Sequence, residues 1–152
     1  MALYFAADRT LGKLTKWMRI LGFDTTCEID ACAELFYEHL ALDRIVLTRT
    51  GTIKKQFSDH RLVFVTSNYL DLQLKQVIAE LGIRPADTRP FSRCIHCNIL
   101  IVDADPDDVC GFIPDYIYEI YDEFKKCIQC NRIFWPGSHT KRSLERIEHL
   151  FE

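Results

Sequence analysis

The chain has 152 residues, of which 48% are hydrophobic and 27% charged, a composition typical of one packed globular domain with room for a small appendage. Its formal net charge of −3 excludes a uniformly basic nucleic-acid binder. The first apolar run covers only residues 1–7, whereas a membrane-spanning helix needs about 20 apolar residues. We therefore predict a soluble, cytoplasmic protein with no membrane contact.

The first ninety residues alternate short apolar runs with helical periodicity. These patterns predict strands at 3–7, 25–29, 45–48 and 62–66, and helices at 11–21, 30–42 and 69–81. We expect Asp30 to cap the second helix and Gly22 and Gly82 to end the other two. Strands that alternate with helices predict an α/β fold with a doubly wound, mostly parallel sheet.

The charge distribution changes near residue 91. Residues 91–124 carry one arginine against eight acidic residues, whereas the preceding ninety are almost neutral. Pro85 and Pro90 bracket a polar stretch there. We therefore predict a boundary at this point.

Two C-x-x-C pairs follow the boundary, Cys94 with Cys97 and Cys127 with Cys130, and an asparagine follows each pair. Asparagine tolerates the positive φ that this position commonly adopts. Four thiolates close a tetrahedral shell, so the pattern predicts a structural zinc site, and iron also fits four thiolates. A redox-active pair is the alternative, but it does not explain the duplication.

Polar residues follow the predicted strands of the first part. Asp8 and Arg9 follow the first strand, Asp30 the second and residues 48–50 the third, while Asp71 lies beyond the fourth. Because ligands of doubly wound sheets bind beyond the carboxyl ends of the strands, we expect these residues to meet at one edge. Each acid also has a structural reading, since aspartates commonly cap helices or occupy their first turns.

Several motifs resemble the Mut-7 C-terminal RNase domain family. They are FAADRTLGKLTKWMRILGFD at 5–24, LTR at 47–49, FSRCIHCN at 91–98, FKKCIQC at 124–130 and FWPGSH at 134–139. The resemblance implies a PIN-like α/β nuclease domain over residues 1–90. Over residues 91–152 it implies a zinc ribbon with an acidic insertion and a C-terminal helix packed on the first domain. It also implies metal-dependent cleavage of single-stranded RNA.

The same resemblance assigns the catalytic carboxylates. Asp8 matches the first ligand of a Mg²⁺ or Mn²⁺ site and Asp30 the second, but Thr50 stands where the family has its third acid. We expect Asp71 and Glu34 to compensate if they reach the same edge. The substitution predicts either a weakened nuclease or a catalytically degenerate module that binds RNA or a protein partner.

Basic residues near this edge are candidates for RNA binding. They are Arg9, Lys13, Lys16 and Arg49. Lys13, Lys16 and Arg19 lie on the arc of the first helix opposite its apolar residues, which is also the pattern of an ordinary solvated face. Further along the chain, Phe134 and Trp135 can either stack on unpaired bases or pack the ribbon onto the α/β body, and we favour this packing for Trp135.

Overall fold

The structure, a computed structural model, describes residues 2–28 and 43–152. The strands of its first part are β1 (Tyr4–Ala7), β2 (Asp24–Cys27), β3 (Ile45–Thr48) and β4 (Leu62–Phe64). Within the described ranges these four strands form one parallel sheet in the order β2-β1-β3-β4. This confirms the prediction of an α/β fold built on a mostly parallel sheet.

Helices cover both faces of this sheet. They are a 3₁₀ turn (Arg9–Leu11), α1 (Gly12–Ile20), α2 (Gly51–Gln56) and α3 (Leu70–Leu81). Neighbouring residues of β1 point to opposite faces, as they do in any strand. Phe5 and Ala7 pack in one core with α1 and α3, whereas Ala6 packs in a second core with Ile53 and Phe57 of the α2 region.

One predicted helix cannot be compared with the structure, and one helix of the structure was not predicted. The predicted helix over 30–42 lies outside the described residues. The helix α2 was not predicted, because it has six residues, of which only Ile53 is buried, and this is too short for a periodic signal.

The C-terminal part has its own antiparallel sheet of β5 (Val102–Ala104), β6 (Phe124–Lys126) and β7 (Ile133–Phe134). Its helices are α4 (Pro106–Val109), α5 (Asp115–Ile120) and α6 (Ser138–Leu150). A separate cluster around Phe124 fills this part, while Ile147 and Leu150 of α6 join the core of the first part. In the portion of the chain that is described, no helix has the length and apolar character to cross a membrane.

The junction between the two parts depends on Gly22, which follows α1 with φ 96°. A Cβ atom at this position would lie 2.4 Å from the carbonyl oxygen of Arg89. The absence of that atom lets the N–H groups of Arg89 and Phe91 donate to the carbonyls of Leu21 and Ile20, at 2.8 and 2.9 Å. The segment before the first cysteine pair therefore caps the end of α1.

Candidate functional site

Asp8 lies at the point where the strand order of the parallel sheet reverses. The strand β1 pairs with β2 on one side and with β3 on the other. Asp8 directly follows β1, and its N–H donates to the carbonyl of Leu47 in β3 at 3.0 Å. Doubly wound sheets bind their ligands beyond the carboxyl ends of strands at such a reversal.

The Asp8 side chain is fully buried and accepts five hydrogen bonds from the described residues. Its Oδ1 accepts from the N–H of Thr10 at 2.8 Å and from the Thr10 hydroxyl. Its Oδ2 accepts from the hydroxyl of Thr48 at 2.5 Å, the N–H of Arg49 at 3.0 Å and the hydroxyl of Thr50 at 3.2 Å. Asp8 is thus the N-cap of the 3₁₀ turn, and it also ties β1 to the end of β3.

These donors keep Asp8 ionised. Burial raises the pKa of the Asp8 carboxyl, but the hydrogen bonds from Thr10, Thr48 and Arg49 lower it by more, so the pKa lies below the ordinary value of 3.8. At neutral pH the site therefore holds a negative charge that is closed to solvent. Such a carboxylate is a ligand that hard divalent cations prefer.

Thr50 stands at the position where the resemblance predicts a third acid. Its hydroxyl donates to Asp8, and its N–H donates to the hydroxyl oxygen of Thr48 at 3.0 Å. The residue therefore supplies a hydrogen-bond donor to the carboxylate instead of a second negative charge. A cation at this place meets one unit less of negative charge than an aspartate at position 50 would provide.

Glu28 is an acidic residue at this edge that the sequence analysis missed. It directly follows β2, and its N–H donates to the carbonyl of Ala7 at 3.1 Å. Its carboxylate accepts from the N–H of Arg9 at 3.2 Å and pairs with the Arg9 guanidinium at 3.8 Å. The predicted strand ran to residue 29 and so hid Glu28, whereas its position directly after the strand is the signal that could have revealed it. We refer to Asp8, Glu28 and residues 48–50 as the Asp8 edge.

Of the other predicted catalytic acids, the structure describes only Asp71, which binds a residue of the C-terminal part. Asp30 and Glu34 lie outside the described residues. Asp71 lies in the first turn of α3 as an exposed side chain, and its carboxylate binds the guanidinium of Arg146 in α6 at 2.6 Å. Apart from the four cysteines, no group of three or more Cys, His, Asp or Glu side chains in the described ranges lies close enough to share an ion.

The predicted RNA-binding cations lie around the Asp8 edge and differ in their exposure to solvent. Arg9, Lys13 and Lys16 are exposed on the first helical segment. Arg49 is half-buried, and its guanidinium donates to the side-chain oxygen of Asn68 beyond β4.

The expectation that Arg19 shares the solvated arc of α1 is wrong. Arg19 is buried, its Nε donates to the carbonyl of Thr25, and its Nη1 donates to the carbonyl of Ile95, both at 2.9 Å. The C-terminal part covers this side of α1, so the guanidinium holds the first cysteine loop against β2.

The four cysteines come together as the sequence predicts. Their sulfur atoms all lie within 4.8 Å of one another, and those of Cys94 and Cys130 are 3.8 Å apart. A tetrahedral zinc ion with Zn–S bonds of about 2.3 Å requires sulfur separations of about 3.8 Å. The cluster is therefore compatible with a structural zinc ion, and we refer to it as the cysteine cluster.

Both cysteine loops have the same backbone geometry. Asn98 and Asn131 adopt φ 63° and 60°, which confirms the expected positive φ after each pair. Their N–H groups donate to the carbonyls of Cys94 and Cys127 at 2.9 and 2.8 Å. Of these two asparagines, Asn98 is the one whose side chain binds β2 among the described residues: its Oδ1 accepts a hydrogen bond from the N–H of Thr25 at 2.9 Å.

The thiols of the cluster differ in acidity. Burial raises the pKa of Cys94, whereas hydrogen bonds from the backbone and side chain of Arg132 lower the pKa of Cys130 to about 6. Arg132 therefore stabilises one thiolate before any metal binds. Metal ions displace the remaining thiol protons on binding.

The donors around Asp8 are of a kind that fits Mg²⁺ or Mn²⁺. Three of the five hydrogen bonds to Asp8 come from hydroxyl groups, whose oxygen atoms are hard ligands and whose O–H groups can rotate away, and the other two come from backbone N–H groups. The further acids that the sequence predicts for such an ion, Asp30 and Glu34, belong to the segment outside the described residues.

Comparison with known proteins adds one match. A family model described as the Mut7-C RNAse domain matches residues 3–147, a range that includes both the Asp8 edge and the cysteine cluster. No curated protein and no solved structure matches the chain.

Proposed function

Because the chain belongs to the Mut7-C RNAse domain family, we propose that it is a metal-dependent endoribonuclease of PIN-like type that cleaves single-stranded RNA at the Asp8 edge. The observation that supports this most is the buried, ionised carboxylate of Asp8 at the strand-order reversal. A charge in such a place costs free energy to bury, and hydrogen bonds alone are a weak reason to retain it.

In this proposal Asp8 and Asp30 hold a Mg²⁺ or Mn²⁺ ion. The chemistry that such an ion supplies is the activation of a water molecule and the neutralisation of charge on the scissile phosphate. The described residues prepare the ligand: Thr10 and Thr48 fix the orientation of the Asp8 carboxylate from opposite sides. A fixed carboxylate does not have to be ordered again when RNA binds.

The exposed cations bind the RNA backbone in this proposal. Arg9, Lys13 and Lys16 lie on the helical segment that begins at Asp8, so phosphates bound there pass the Asp8 edge. Contacts of this kind position a strand without reading its sequence. The cysteine cluster has a structural part, because the loop that carries Cys94 and Cys97 is held against β2 by Arg19 and Asn98.

The experiment is a cleavage assay on single-stranded RNA with Mn²⁺ or Mg²⁺. We expect the natural chain to cut and Asp8→Asn to lose at least about 100-fold in rate, because the substitution removes the charge that holds the ion. Asp59→Asn is the matched control, since Asp59 is exposed and lies before β4, at the opposite end of the sheet. Equal cleavage by Asp8→Asn and the natural chain would contradict the assignment.

A second function is favoured by Thr50. The loss of one acid from the edge is the change expected of a module that binds RNA without cutting it. Reinstating the acid with Thr50→Asp separates the two: an inert natural chain and an active variant would support the degenerate module. Activity in both proteins would show that the third acid is dispensable.

A further inference from the structure

A cleft of about 590 Å³ lies where the C-terminal part meets α1. Its walls come from the second half of α1, the segment around residue 91, the β6–β7 hairpin and the start of α6. Four aromatic rings line it, those of Trp17, Phe91, Phe134 and Trp135. We refer to it as the ribbon cleft.

Of the four rings, Phe134 is the one that belongs to none of the hydrophobic clusters of the described residues. Its neighbours Ile133 and Trp135 pack on the cluster around Phe124. Because side chains alternate along a strand, Phe134 points away from that cluster, and it lines the ribbon cleft as a half-buried ring. Trp135 therefore packs within the C-terminal part, and Phe134 is left available to a ligand.

Phe91 has an unusual backbone on the opposite wall. Its φ of 60° lies in the left-handed region, which a bulky side chain rarely adopts. The N–H of Phe91 donates to the carbonyl of Ile20, so the conformation is held by the end of α1. Residues in such conformations are concentrated at ligand sites, and here the strained residue places its ring in the wall of a cleft.

The charges around the ribbon cleft favour an anionic ligand. Lys125 lies directly opposite Phe134 in the β6–β7 pairing and therefore on the same face of the hairpin. Lys16 of α1 and Arg93 also line the cleft, against one lining acid, Glu123. An aromatic ring with lysines beside it suits a nucleotide, whose base stacks and whose phosphate pairs with the cations.

A row of cations joins the ribbon cleft to the Asp8 edge. Arg9, Lys13 and Lys16 follow one another at intervals of four and three residues, so they share one face of the first helical segment. They span roughly 10 Å along the helix axis. The sugar-phosphate backbone of one RNA strand can thus contact the Asp8 edge and the mouth of the ribbon cleft at the same time.

We propose that the ribbon cleft binds one unpaired base of an RNA strand, which stacks on Phe134 while the adjoining phosphate pairs with Lys125 and Lys16. The proposal rests on the proposed function in that the ligand is RNA. Stacking on an aromatic ring tolerates any base, so the cleft selects unpaired RNA and not a sequence.

The test uses tryptophan fluorescence of the full, zinc-loaded chain without added Mg²⁺ or Mn²⁺. The chain has two tryptophans, and both line the ribbon cleft. The probes are a ten-nucleotide oligoadenylate and an abasic ribose-phosphate oligomer of the same length and charge. We expect the oligoadenylate to quench the fluorescence and the abasic oligomer to cause little quenching, so binding of the abasic oligomer is measured by its competition with oligoadenylate.

Three variants separate stacking from charge. Phe134→Leu keeps an apolar side chain but removes the ring, so we expect about tenfold weaker binding of oligoadenylate and unchanged binding of the abasic oligomer. Lys125→Gln weakens both probes and lowers the slope of log affinity against log salt by about one. Phe112→Leu is the control, because Phe112 is 79% exposed and lies outside the cleft.

Phe134→Tyr retains the ring, and we expect it to bind oligoadenylate as the natural chain does. This result, together with an unchanged zinc content of the variants, excludes misfolding as the cause of weaker binding by Phe134→Leu. Equal quenching by both probes, or unchanged oligoadenylate binding by Phe134→Leu, would overturn the cleft proposal. RNA cleavage with Mn²⁺ is measured separately. If binding depends on Phe134 but no cleavage is found, the nuclease proposal is overturned and the cleft proposal stands. If RNA is cleaved but binding does not depend on Phe134, the cleft proposal is overturned and the nuclease proposal stands.

Discussion

The hydroxyl of Thr50 lies 3.2 Å from Oδ2 of Asp8 and donates a hydrogen bond to it, although 42 positions separate the two residues in the chain. An acid at position 50 would instead place a second carboxylate beside Asp8. Two like charges at this distance repel unless a proton or a cation lies between them. The effect of a substitution at Thr50 therefore reports whether the edge takes a cation.

We predict that Thr50→Asp destabilises the chain in metal-free buffer and that Mn²⁺ reverses the loss. The repulsion and the lost hydrogen bond cost about 1–3 kcal/mol. Mn²⁺ at 100 times its dissociation constant returns about 2.7 kcal/mol. Thermal unfolding with and without Mn²⁺ measures both, and Thr50→Asn is the control that has the same shape without the charge. A Mn²⁺ response no larger in Thr50→Asp than in Thr50→Asn would contradict the prediction.

The lowered pKa of Asp8 predicts a pH-dependent stability. Its folded-state pKa lies below the ordinary 3.8, so the contribution is fully present above about pH 4–5 and is lost as the pH falls through the folded-state pKa. We expect the natural chain to exceed Asp8→Asn in free energy of unfolding by roughly 1–3 kcal/mol at pH 6. The difference should shrink towards pH 2.

Urea unfolding of both proteins across this range measures the difference. Asp24, whose pKa the Arg44 and Asn98 side chains lower against the effect of burial, is present in both proteins, so its titration cancels. A difference that stays constant down to pH 2 would show that Asp8 does not titrate with a lowered pKa.

The sequence predicts local elements well and their assembly less well. Apolar runs and the glycines at 22 and 82 define strands and helices through contacts within a few residues, and the predicted elements that fall within residues 2–28 and 43–152 are present. The hydrogen bonds from Thr48 and Thr50 to Asp8 depend on the pairing of β1 with β3, which no local pattern encodes. The acidity and burial of the site therefore became visible only in three dimensions.

The two errors near the site have the same physical origin. A helical wheel places Arg19 on a polar face, but it contains no information about the C-terminal part that packs over that face. Glu28 was overlooked because strand ends are uncertain by a few residues when the pattern is judged from sequence alone. The role of each residue depends on which other segment of the chain lies next to it.

We predict that the purified chain contains about one zinc ion per molecule and that Cys94→Ser or Cys127→Ser loses it. Each substitution removes one of the four ligands of a closed tetrahedral site, and serine does not replace a thiolate for zinc. Elemental analysis measures the content and also distinguishes zinc from iron. Cys110→Ser is the matched control, because Cys110 is exposed and outside the cysteine cluster, so its metal content should not change.

Finally, the two asparagines of the cysteine loops provide a comparison in which the backbone effect is constant. Glycine accepts a positive φ without strain, so Asn98→Gly and Asn131→Gly both preserve the loop geometry. Asn98 also accepts from the N–H of Thr25 and donates to Asp24 at 2.7 Å, so its removal leaves the Thr25 N–H without this acceptor and leaves Asp24 with Arg44 as its side-chain partner. We expect Asn98→Gly to lower the free energy of unfolding by about 1–3 kcal/mol and Asn131→Gly to change it by less than about 0.5 kcal/mol. Urea unfolding of the zinc-loaded proteins makes the comparison, and equal losses would mean that the Asn98 side chain does not hold the first cysteine loop on β2.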